Sequence, residues 1–132
     1  MGPSGVSRAQ IVRAYLKAIE QRKDLTGFYT PDVVQEEFPN LLSPTGARRE
    51  LAELKAAGKR GQNVLASETY DIVTLVEAND IVACEIVWRG VLAVGLRSLQ
   101  PGDEMHARLA AVFEFDGDKI RRQRNYDCFE PF

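Results

Sequence analysis

The last twelve residues, RRQRNYDCFEPF, bring together side chains that could act chemically on a small molecule. Successive side chains of an extended segment point to opposite faces, so Gln123, Asn125 and Asp127 share one face of a predicted final strand. Two amides and a carboxylate supply hydrogen-bond donors, acceptors and one group that can take a proton. From this segment alone, the polar row either faces water or lines a cavity.

Two other regions carry groups suited to acid–base chemistry. Tyr15 lies within an apolar stripe at helical spacing, as either a core tyrosine or a donor into a pocket. Glu36 and Glu37 precede Phe38, and since neighbouring residues of an extended segment face opposite ways, at most one of these acids points inward. A carboxylate among apolar residues has a raised pKa, which suits a general base near neutral pH; an exposed acid is the alternative.

A central predicted strand, IVACEIVWRG, contains one acid among apolar neighbours. Glu85 must therefore be paired, neutral or facing a wet cavity, and Arg89, which shares its parity, is the expected partner. Trp88 and Phe113 are predicted as core or as pocket wall, and both are candidate ligand-binding residues.

The elements that must position these groups begin with an amphipathic helix. Ser7 and Gln10 form a capping-box pattern, and apolar residues then recur at helical spacing until about Lys23. Residues 28–32 predict a turn, and residues 33–38 predict a short extended segment.

The remaining pattern predicts a second helix and then a sheet. The helix is expected over residues 45–57, with Gly58 as its C-terminal cap. Segments rich in β-branched and aromatic residues follow, and they predict strands at residues 64–76, 81–88, 105–115 and 120–129. Residues 77–80 and 116–118 are predicted hairpin turns, so the sheet should be mostly antiparallel. Residues 90–102 are expected to hold a strand end and a helical turn.

Length and composition set the class of protein. A chain of 132 residues, 45% hydrophobic and 27% charged, predicts one soluble domain over residues 1–132, with a flexible tail at 1–6. Helices followed by a long-stranded meander are typical of an α+β fold. A net charge of -2 argues against a nucleic-acid partner, and the basic run at 121–124 is interpreted as a solvated strand face.

The sequence also bears on metal sites, redox sites and cellular location. Cys84 and Cys128 have neither metal-binding nor redox-motif spacing, so reduced thiols are predicted, with no metal and no cofactor. No apolar run approaches the ~20 residues needed to span a bilayer, and no signal segment opens the chain. We therefore predict a cytoplasmic protein without a membrane partner.

Several motifs together resemble those of the nuclear transport factor 2-like superfamily, and specifically its SnoaL-like branch. They are RAYLKAI in the first helix, FYTPDVVQEEFPN after it, IVACEIVWRG, and finally AAVFEFDGDKIRRQRNYDCF. The resemblance implies a cone-shaped barrel, in which a curved, mostly antiparallel sheet wraps around N-terminal helices and encloses a cavity. It does not imply one activity, because this superfamily contains isomerases, cyclases, hydrolases and proteins that only bind.

Within this resemblance, ketosteroid isomerases allow a residue-by-residue comparison. Their oxyanion-binding tyrosine matches Tyr15, and their general base matches Glu37, with Glu36 as the alternative. Their protonated aspartate falls at Ala111, which can donate nothing, so the steroid-isomerase mechanism is not expected.

The resemblance also implies that the final strand turns its amides and carboxylate inward. Gln123, Asn125 and Asp127 would then line the cavity. In the similar limonene epoxide hydrolases a carboxylate of that face activates water, and its equivalent is Asn125 or Asp127. The only histidine, His106, lies on the outward parity.

Two functions of different kinds follow. The first is a cofactor-independent isomerase, cyclase or hydrolase for a small apolar molecule, with Glu37 or Asp127 as base and Tyr15 and Asn125 as donors. The second is a non-catalytic module for ligand binding or dimerisation. A homodimer through the convex sheet face is expected from residues of outward parity. These residues are Arg122, Arg124 and Tyr126, opposite His106, Arg108 and Glu114.

Overall fold

The computed structural model of the protein describes residues 6–132. The predicted tail at 1–6 lies outside the described residues except for Val6. Within the described range the chain forms two α-helices, a short 3₁₀ turn at Thr26–Phe28 and six strands. The helices are α1 (Arg8–Glu20) and α2 (Leu51–Val64); the strands are β1 (Tyr29–Glu37), β2 (Ala47–Arg49), β3 (Leu65–Ala78), β4 (Ile81–Leu92), β5 (Glu104–Asp116) and β6 (Lys119–Phe129).

The six strands form one sheet in the order β2-β1-β6-β5-β4-β3. Neighbouring strands are antiparallel except β1 and β6, which are parallel. α1 packs against β3 and β4, while α2 contacts both β1 and β3, which lie near opposite edges of the sheet. The helices thus cover a curved sheet that does not close on itself, and the predicted α+β cone is confirmed.

α1 begins where its capping box predicts. The Ser7 hydroxyl accepts a hydrogen bond from the Gln10 backbone N–H at 3.1 Å, and the Gln10 side chain accepts from the Ser7 backbone N–H at 3.0 Å. The Arg8 guanidinium donates to the carbonyl oxygens of Asn79 and Gly117, in the two predicted hairpin turns. These bonds hold the helix N-terminus at one end of the sheet.

The main core lies between α1 and the concave face of the sheet. Val12 of α1 is completely buried, as are Val33, Val82, Phe113 and Ile120 from four different strands. Each such side chain contributes about 1.5–3 kcal/mol on burial. The same packing that stabilises the fold therefore sets the distance between α1 and the sheet.

A one-residue bulge decides which side chains of β6 face inward. Pairing with β5 advances two residues on β6, from Ile120 to Arg122, while β5 advances one, so Arg121 is an extra residue. Ile120 faces inward, and strict alternation from it would also turn Arg122 inward. Because the bulge shifts this alternation by one, Gln123 points inward instead and is 4% exposed.

The second helix differs from the prediction. It begins at Leu51, where the Glu50 backbone N–H donates to the Glu53 carboxylate at 3.0 Å, and it continues through Gly58 to Val64. Glycine weakens a helix but keeps its backbone N–H, so Gly58 is accommodated inside α2 rather than capping it. The residues expected to start the helix include β2, which pairs with β1.

The turn predicted at residues 28–32 is also wrong for most of its length. Tyr29 already belongs to β1, and Pro31 lies within the strand. Pairing with β6 skips residues 30–33, so the missing N–H of Pro31 removes no bond from the sheet. The break in strand pairing that accommodates Pro31 is therefore seen only in the three-dimensional structure.

The segment 90–102 contains the predicted strand end, because β4 continues to Leu92. The helical turn predicted after it is wrong. Leu96 and Leu99 instead exchange two backbone hydrogen bonds of 2.9 Å across a tight turn, in which Arg97 has a φ of 52°. Such a turn depends on local pairing rather than on helical periodicity.

The convex face of the sheet is charged, and Glu85 is exposed on it. The predicted Glu85–Arg89 pair is wrong: residues four apart on a strand are separated by about 13 Å. Arg89 lies 3.9 Å from Glu104 instead, and the outward-facing His106 lies 3.3 Å from the same carboxylate. Glu85 therefore needs no partner, since water solvates it.

Two glycines provide a test of this fold. At Gly58 an added Cβ meets no atom within 4 Å, so Gly58→Ala should stabilise the protein by about 0.5–1 kcal/mol through helix propensity. At Gly90 the Cβ would lie 2.6 Å from the buried Trp88 ring, so Gly90→Ala should destabilise by about 1–3 kcal/mol. Urea unfolding measures both, and a Gly58→Ala protein less stable than the parent would contradict the observed α2.

Candidate functional site

A cavity of about 180 Å³ lies between α1 and the concave face of the sheet. We call it the inner chamber. β6 contributes Gln123, Asn125 and Asp127 to its wall, α1 contributes Tyr15, and β5 contributes Phe113. The polar row of the final strand therefore lines a cavity and does not face water.

A larger cavity of about 590 Å³ adjoins it between α1 and α2. We call it the outer chamber. Four residues line both cavities: Tyr15, Ile19, Gln35 and Tyr70. Pockets that bind small molecules typically have volumes of about 300–1,000 Å³, so the two chambers together are large enough for a small organic ligand that reaches the polar row.

The Tyr15 hydroxyl is placed at the junction of the two chambers. It lies 2.6 Å from the Tyr29 hydroxyl and donates to Gln123 Oε1 at 3.4 Å. Burial raises the pKa of Tyr15, and burial also holds the pKa of Tyr29 well above its ordinary value. Both hydroxyls therefore stay protonated around neutral pH and remain hydrogen-bond donors.

The two amides continue this chain of hydrogen bonds along β6. Gln123 uses its oxygen to accept from Tyr15 and its nitrogen to donate to Asn125 Oδ1 at 3.0 Å. With that oxygen engaged, the Asn125 amide nitrogen is oriented as a donor, and it makes no hydrogen bond to the residues from 6 to 132. The chamber wall thus presents a fixed donor next to Asp127.

Asp127 differs from the other carboxylates of the chain. Its pKa is raised to about 6: burial and the nearby negative charge of Glu37 raise it, and Arg49 partly offsets both effects. Its carboxylate accepts no hydrogen bond within the described part of the chain. A desolvated carboxylate of this pKa is largely ionised at neutral pH and is a stronger base than an exposed one.

Glu37, rather than Glu36, lies on the inner face of β1. Glu36 pairs in register with Arg48 and Arg124 on the opposite face. The Glu37 carboxylate is held by Arg49 at 2.9 Å and by the Asn40 amide at 2.8 Å, and its side chain is 16% exposed. Since its lone pairs are already engaged by these donors, Glu37 acts on Asp127 through its charge.

Sequence reasoning missed a second acid, Glu68 of β3, which lines the outer chamber. It accepts a hydrogen bond from the Tyr70 hydroxyl at 2.7 Å and from Trp88 Nε1 at 3.0 Å. Trp88 itself packs in a separate cluster with Leu92 and does not line either chamber. The i, i+2 spacing of Glu68 and Tyr70 was the available signal for a shared strand face.

A family model for the SnoaL-like domain matches residues 12–123, which is most of the chain. The chain belongs to the SnoaL-like domain family. This agrees with the observed helices and sheet, and it confirms the resemblance drawn from the sequence motifs. No curated protein matches the sequence significantly.

Solved structures with the same fold as this SnoaL-like protein come from several bacteria. IdmH of Streptomyces antibioticus, a candidate polyketide cyclase, aligns with a TM-score of 0.77 at 17% identity, covering 92% of each chain. A candidate polyketide cyclase of Xanthomonas campestris aligns at 0.70 and 25% identity, over 90% of this chain and 89% of that one.

A third similar structure contains a small molecule. It is a ketosteroid isomerase-like protein of Catenulispora acidiphila in complex with trimethylamine. Its TM-score is 0.72 at 17% identity, with coverage of 89% of this chain and 84% of that chain. At such identities the alignment establishes the shared fold.

Ala111 is the position at which the sequence resemblance places the protonated aspartate of the isomerases. Ala111 lines the inner chamber and pairs in register with Asn125, so its methyl group leaves space beside the amide. Among the described residues no group of three or more His, Cys, Asp or Glu side chains could hold a metal ion. No helix within residues 6–132 is long and apolar enough to cross a bilayer.

The raised pKa of Asp127 predicts a pH-dependent effect on stability. The folded-state pKa of about 6 exceeds the unfolded value of about 3.9, so ionisation of Asp127 lowers stability as pH rises between these values. Asp127→Asn should therefore stabilise the protein at neutral pH by on the order of 1 kcal/mol. The gain should vanish at about pH 4, where both side chains are neutral.

Urea denaturation at the two pH values measures this difference. Asp32→Asn is the matched control, because it removes an exposed carboxylate outside both chamber linings and should change stability little at either pH. A loss of stability in Asp127→Asn at neutral pH would show that the carboxylate is not desolvated as described.

Proposed function

We propose that this SnoaL-like protein is a cofactor-independent enzyme of the cyclase or isomerase type. It would remove a proton from a carbon next to a carbonyl group in a small, mainly apolar molecule. The observation that carries this proposal is the inner chamber, where Asp127, a desolvated carboxylate with no hydrogen bond among the described residues, adjoins the donors Tyr15 and Asn125. The polyketide cyclases with this fold support the same class of reaction.

In the proposed reaction Asp127 is the base. It takes the C–H proton, and the electron pair of that bond moves into the carbonyl, which becomes an enolate. The Asn125 amide nitrogen, which Gln123 already orients, donates a hydrogen bond to the developing oxyanion. The Tyr15 hydroxyl turns its single proton from Gln123 Oε1 to the same oxyanion and accepts a hydrogen bond from the Tyr29 hydroxyl. In an isomerase, protonated Asp127 returns the proton to a different carbon of a conjugated enolate, and the carbonyl re-forms. In a cyclase, the enolate carbon attacks a second carbonyl carbon, whose oxygen takes the proton from Asp127 as the first carbonyl re-forms.

The apolar wall of the chamber favours this chemistry. Ile86, Leu109 and Phe113 line it together with the polar row, so a substrate would displace water from around Asp127. A carboxylate deprived of water is a better base, and interactions with the oxyanion are stronger in a site of low dielectric.

We propose Asp127 as the base in preference to Glu37, because Glu37 is held by Arg49 and Asn40. Glu37 would instead keep the pKa of Asp127 high through its negative charge. Trp88 would act indirectly, since its Nε1 fixes the Glu68 carboxylate that accepts from Tyr70.

A direct test uses carbon acids of increasing size, such as β-keto esters and β-diketones, whose C–H exchange in D₂O is followed by NMR. The protein should accelerate exchange of at least one of them. Asp127→Asn should reduce the rate about 10²-fold or more, and Tyr15→Phe should reduce it by about 10–10²-fold. Asp32→Asn, which removes an exposed carboxylate outside both chamber linings, should retain the parent rate.

The pH profile separates general-base catalysis from simple binding. Because Asp127 must be ionised to accept a proton, the rate should rise with pH, reach half its maximum near the pKa of about 6 and then level off. If these compounds bind and their C–H protons do not exchange, the alternative of a non-catalytic ligand-binding protein is the better description.

We also propose a homodimer through the convex face. Ala83 of β4 and Ala110 and Val112 of β5 are neighbours on this face, because Ala83 pairs with Val112, and they provide a small apolar centre. Tyr126, 43% exposed, stacks on Phe38 at a centroid distance of 4.7 Å. Glu114, which pairs with arginines of β6, places charge nearby. An apolar centre with a charged rim is typical of protein interfaces.

Native mass spectrometry tests the dimer at micromolar protein concentration. The parent protein should be dimeric, and Val112→Asp should yield a folded monomer, because a buried unpaired carboxylate disfavours the interface while the side chain is partly exposed in the single chain. Circular dichroism confirms that the variant folds. A monomeric parent protein would exclude this assembly.

A further inference from the structure

The rim of the outer chamber carries an excess of positive charge. Its lining includes four basic residues and two acidic ones. The basic residues are Arg22, Lys23, Lys55 and Lys59, and the acidic ones are Asp24 and Glu68. The excess is local, since the whole chain has a net charge of -2.

The acidic residues of this lining are engaged elsewhere. Asp24 Oδ1 accepts from the Thr26 backbone N–H at 3.0 Å and from its hydroxyl at 2.7 Å. Glu68 lies deeper and accepts from Tyr70 and Trp88. Among the described residues neither carboxylate lies within 4.0 Å of a rim lysine. The hydrogen bonds from Thr26 lower the pKa of Asp24, and the charge of Lys55 lowers it by a smaller amount.

The rim lysines are not arranged to stabilise the helix that carries two of them. Lys55 and Lys59 are four residues apart on α2, a spacing at which like charges repel by a few tenths of a kcal/mol. The positions three or four residues from either lysine hold no acid. Lys23, Lys55 and Lys59 are all exposed, and none of their ammonium groups lies within 4.0 Å of a carboxylate in the part of the chain described.

Charge inside the chambers has the opposite sign. Asp127 lines the inner chamber. Glu68 lines the outer chamber beside Tyr70, which lines both chambers. An anionic group would be repelled from these carboxylates and attracted to the rim. A ligand with one anionic end and an apolar body would therefore enter with the apolar end first.

We propose that the substrate of this site is a carboxylate with an apolar body. Its carboxylate would lie at Lys55 and Lys59, its apolar part would contact Leu51, Leu54 and Ile19 of the outer chamber, and its reacting carbon would reach Asp127. This inference rests on the proposed function, because it names the substrate class of the same site. It adds that the reacting carbon and the carboxylate stand at opposite ends of the molecule.

A carboxylate is favoured over a phosphate by the donors present. Phosphate sites commonly add arginine forks or backbone N–H groups at a helix N-terminus to their lysines. The only guanidinium among the residues that line this chamber, Arg22, already donates to the carbonyl oxygens of Gln62 and Leu65. Flexible lysines that act as point charges are sufficient for one carboxylate.

A matched pair of probes tests the inference: 1-naphthaleneacetate and its neutral amide, 1-naphthaleneacetamide. They have the same apolar body and nearly the same size, and they differ in charge. The acid should bind more tightly than the amide at neutral pH, by on the order of fivefold at low salt, and the ratio should fall as salt is added. Titration calorimetry gives both dissociation constants.

Charge removal locates the effect. In Lys55→Gln/Lys59→Gln the acid should lose its advantage and the amide should bind as before. The control is Arg13→Gln/Arg60→Gln, which removes two exposed positive charges outside the chamber lining, one from α1 and one from α2. It should leave the ratio unchanged. A purely structural role of the lysines would shift the melting temperature of the first variant and leave its ratio at the parent value.

The outcomes separate this inference from the proposed function. Equal binding of acid and amide by the parent protein, or an unchanged ratio in the lysine variant, would overturn the anionic substrate and leave the chamber intact as a binding site. Failure of both probes to bind, together with no detectable binding or C–H exchange of the carbon acids above, would overturn both proposals.

Discussion

The phase of β6 is the constraint on which the site depends. Ile120 must face the core, and the bulge at Arg121 then reverses the alternation that Ile120 begins. The amides and Asp127 point inward for this reason, and the arginines point to the convex face. The parallel pairing with β1 fixes the same phase from the other side, by setting Gln35 beside Gln123. One extra backbone residue thus decides whether the cavity is lined by hydrogen-bonding groups or by cations.

The inward orientation of Asp127 lowers the stability of the fold and increases the reactivity of this carboxylate. Asp127 is desolvated by the packing of α1 over the sheet, and the adjacent Glu37 raises its pKa further, to about 6. Folding therefore carries a cost at neutral pH, which the apolar core around Phe113 offsets. Groups held in an unfavourable electrostatic environment are concentrated at functional sites, since the same desolvation that destabilises them increases their reactivity.

Local signals predicted most of the fold. The capping box of Ser7 predicted the start of α1. The Asp-Gly turn at Gly117, whose φ is 60°, predicted the β5–β6 hairpin. Both signals depend on residues within a few positions of each other.

The errors occur where the contacting residues are far apart in the sequence. β2 is three residues long and is stabilised by pairing with β1, and α2 extends through Gly58 because its inner side contacts two separate strands. Neither contact is encoded in local periodicity.

The sequence by itself determined the α+β class, the family, the main elements and the presence of Tyr15, Asn125 and Asp127 as chemically capable groups. Only the tertiary structure decided how these groups are used. In the structure Glu37 binds Arg49, Glu68 lines the outer chamber, and Trp88 contacts Glu68 without lining the chamber itself. The physical reason is that solvation and charge depend on contacts between residues far apart in the chain. Asp127 has its pKa because the fold buries it and brings Glu37, 90 residues earlier, close to it, and no local pattern carries that information.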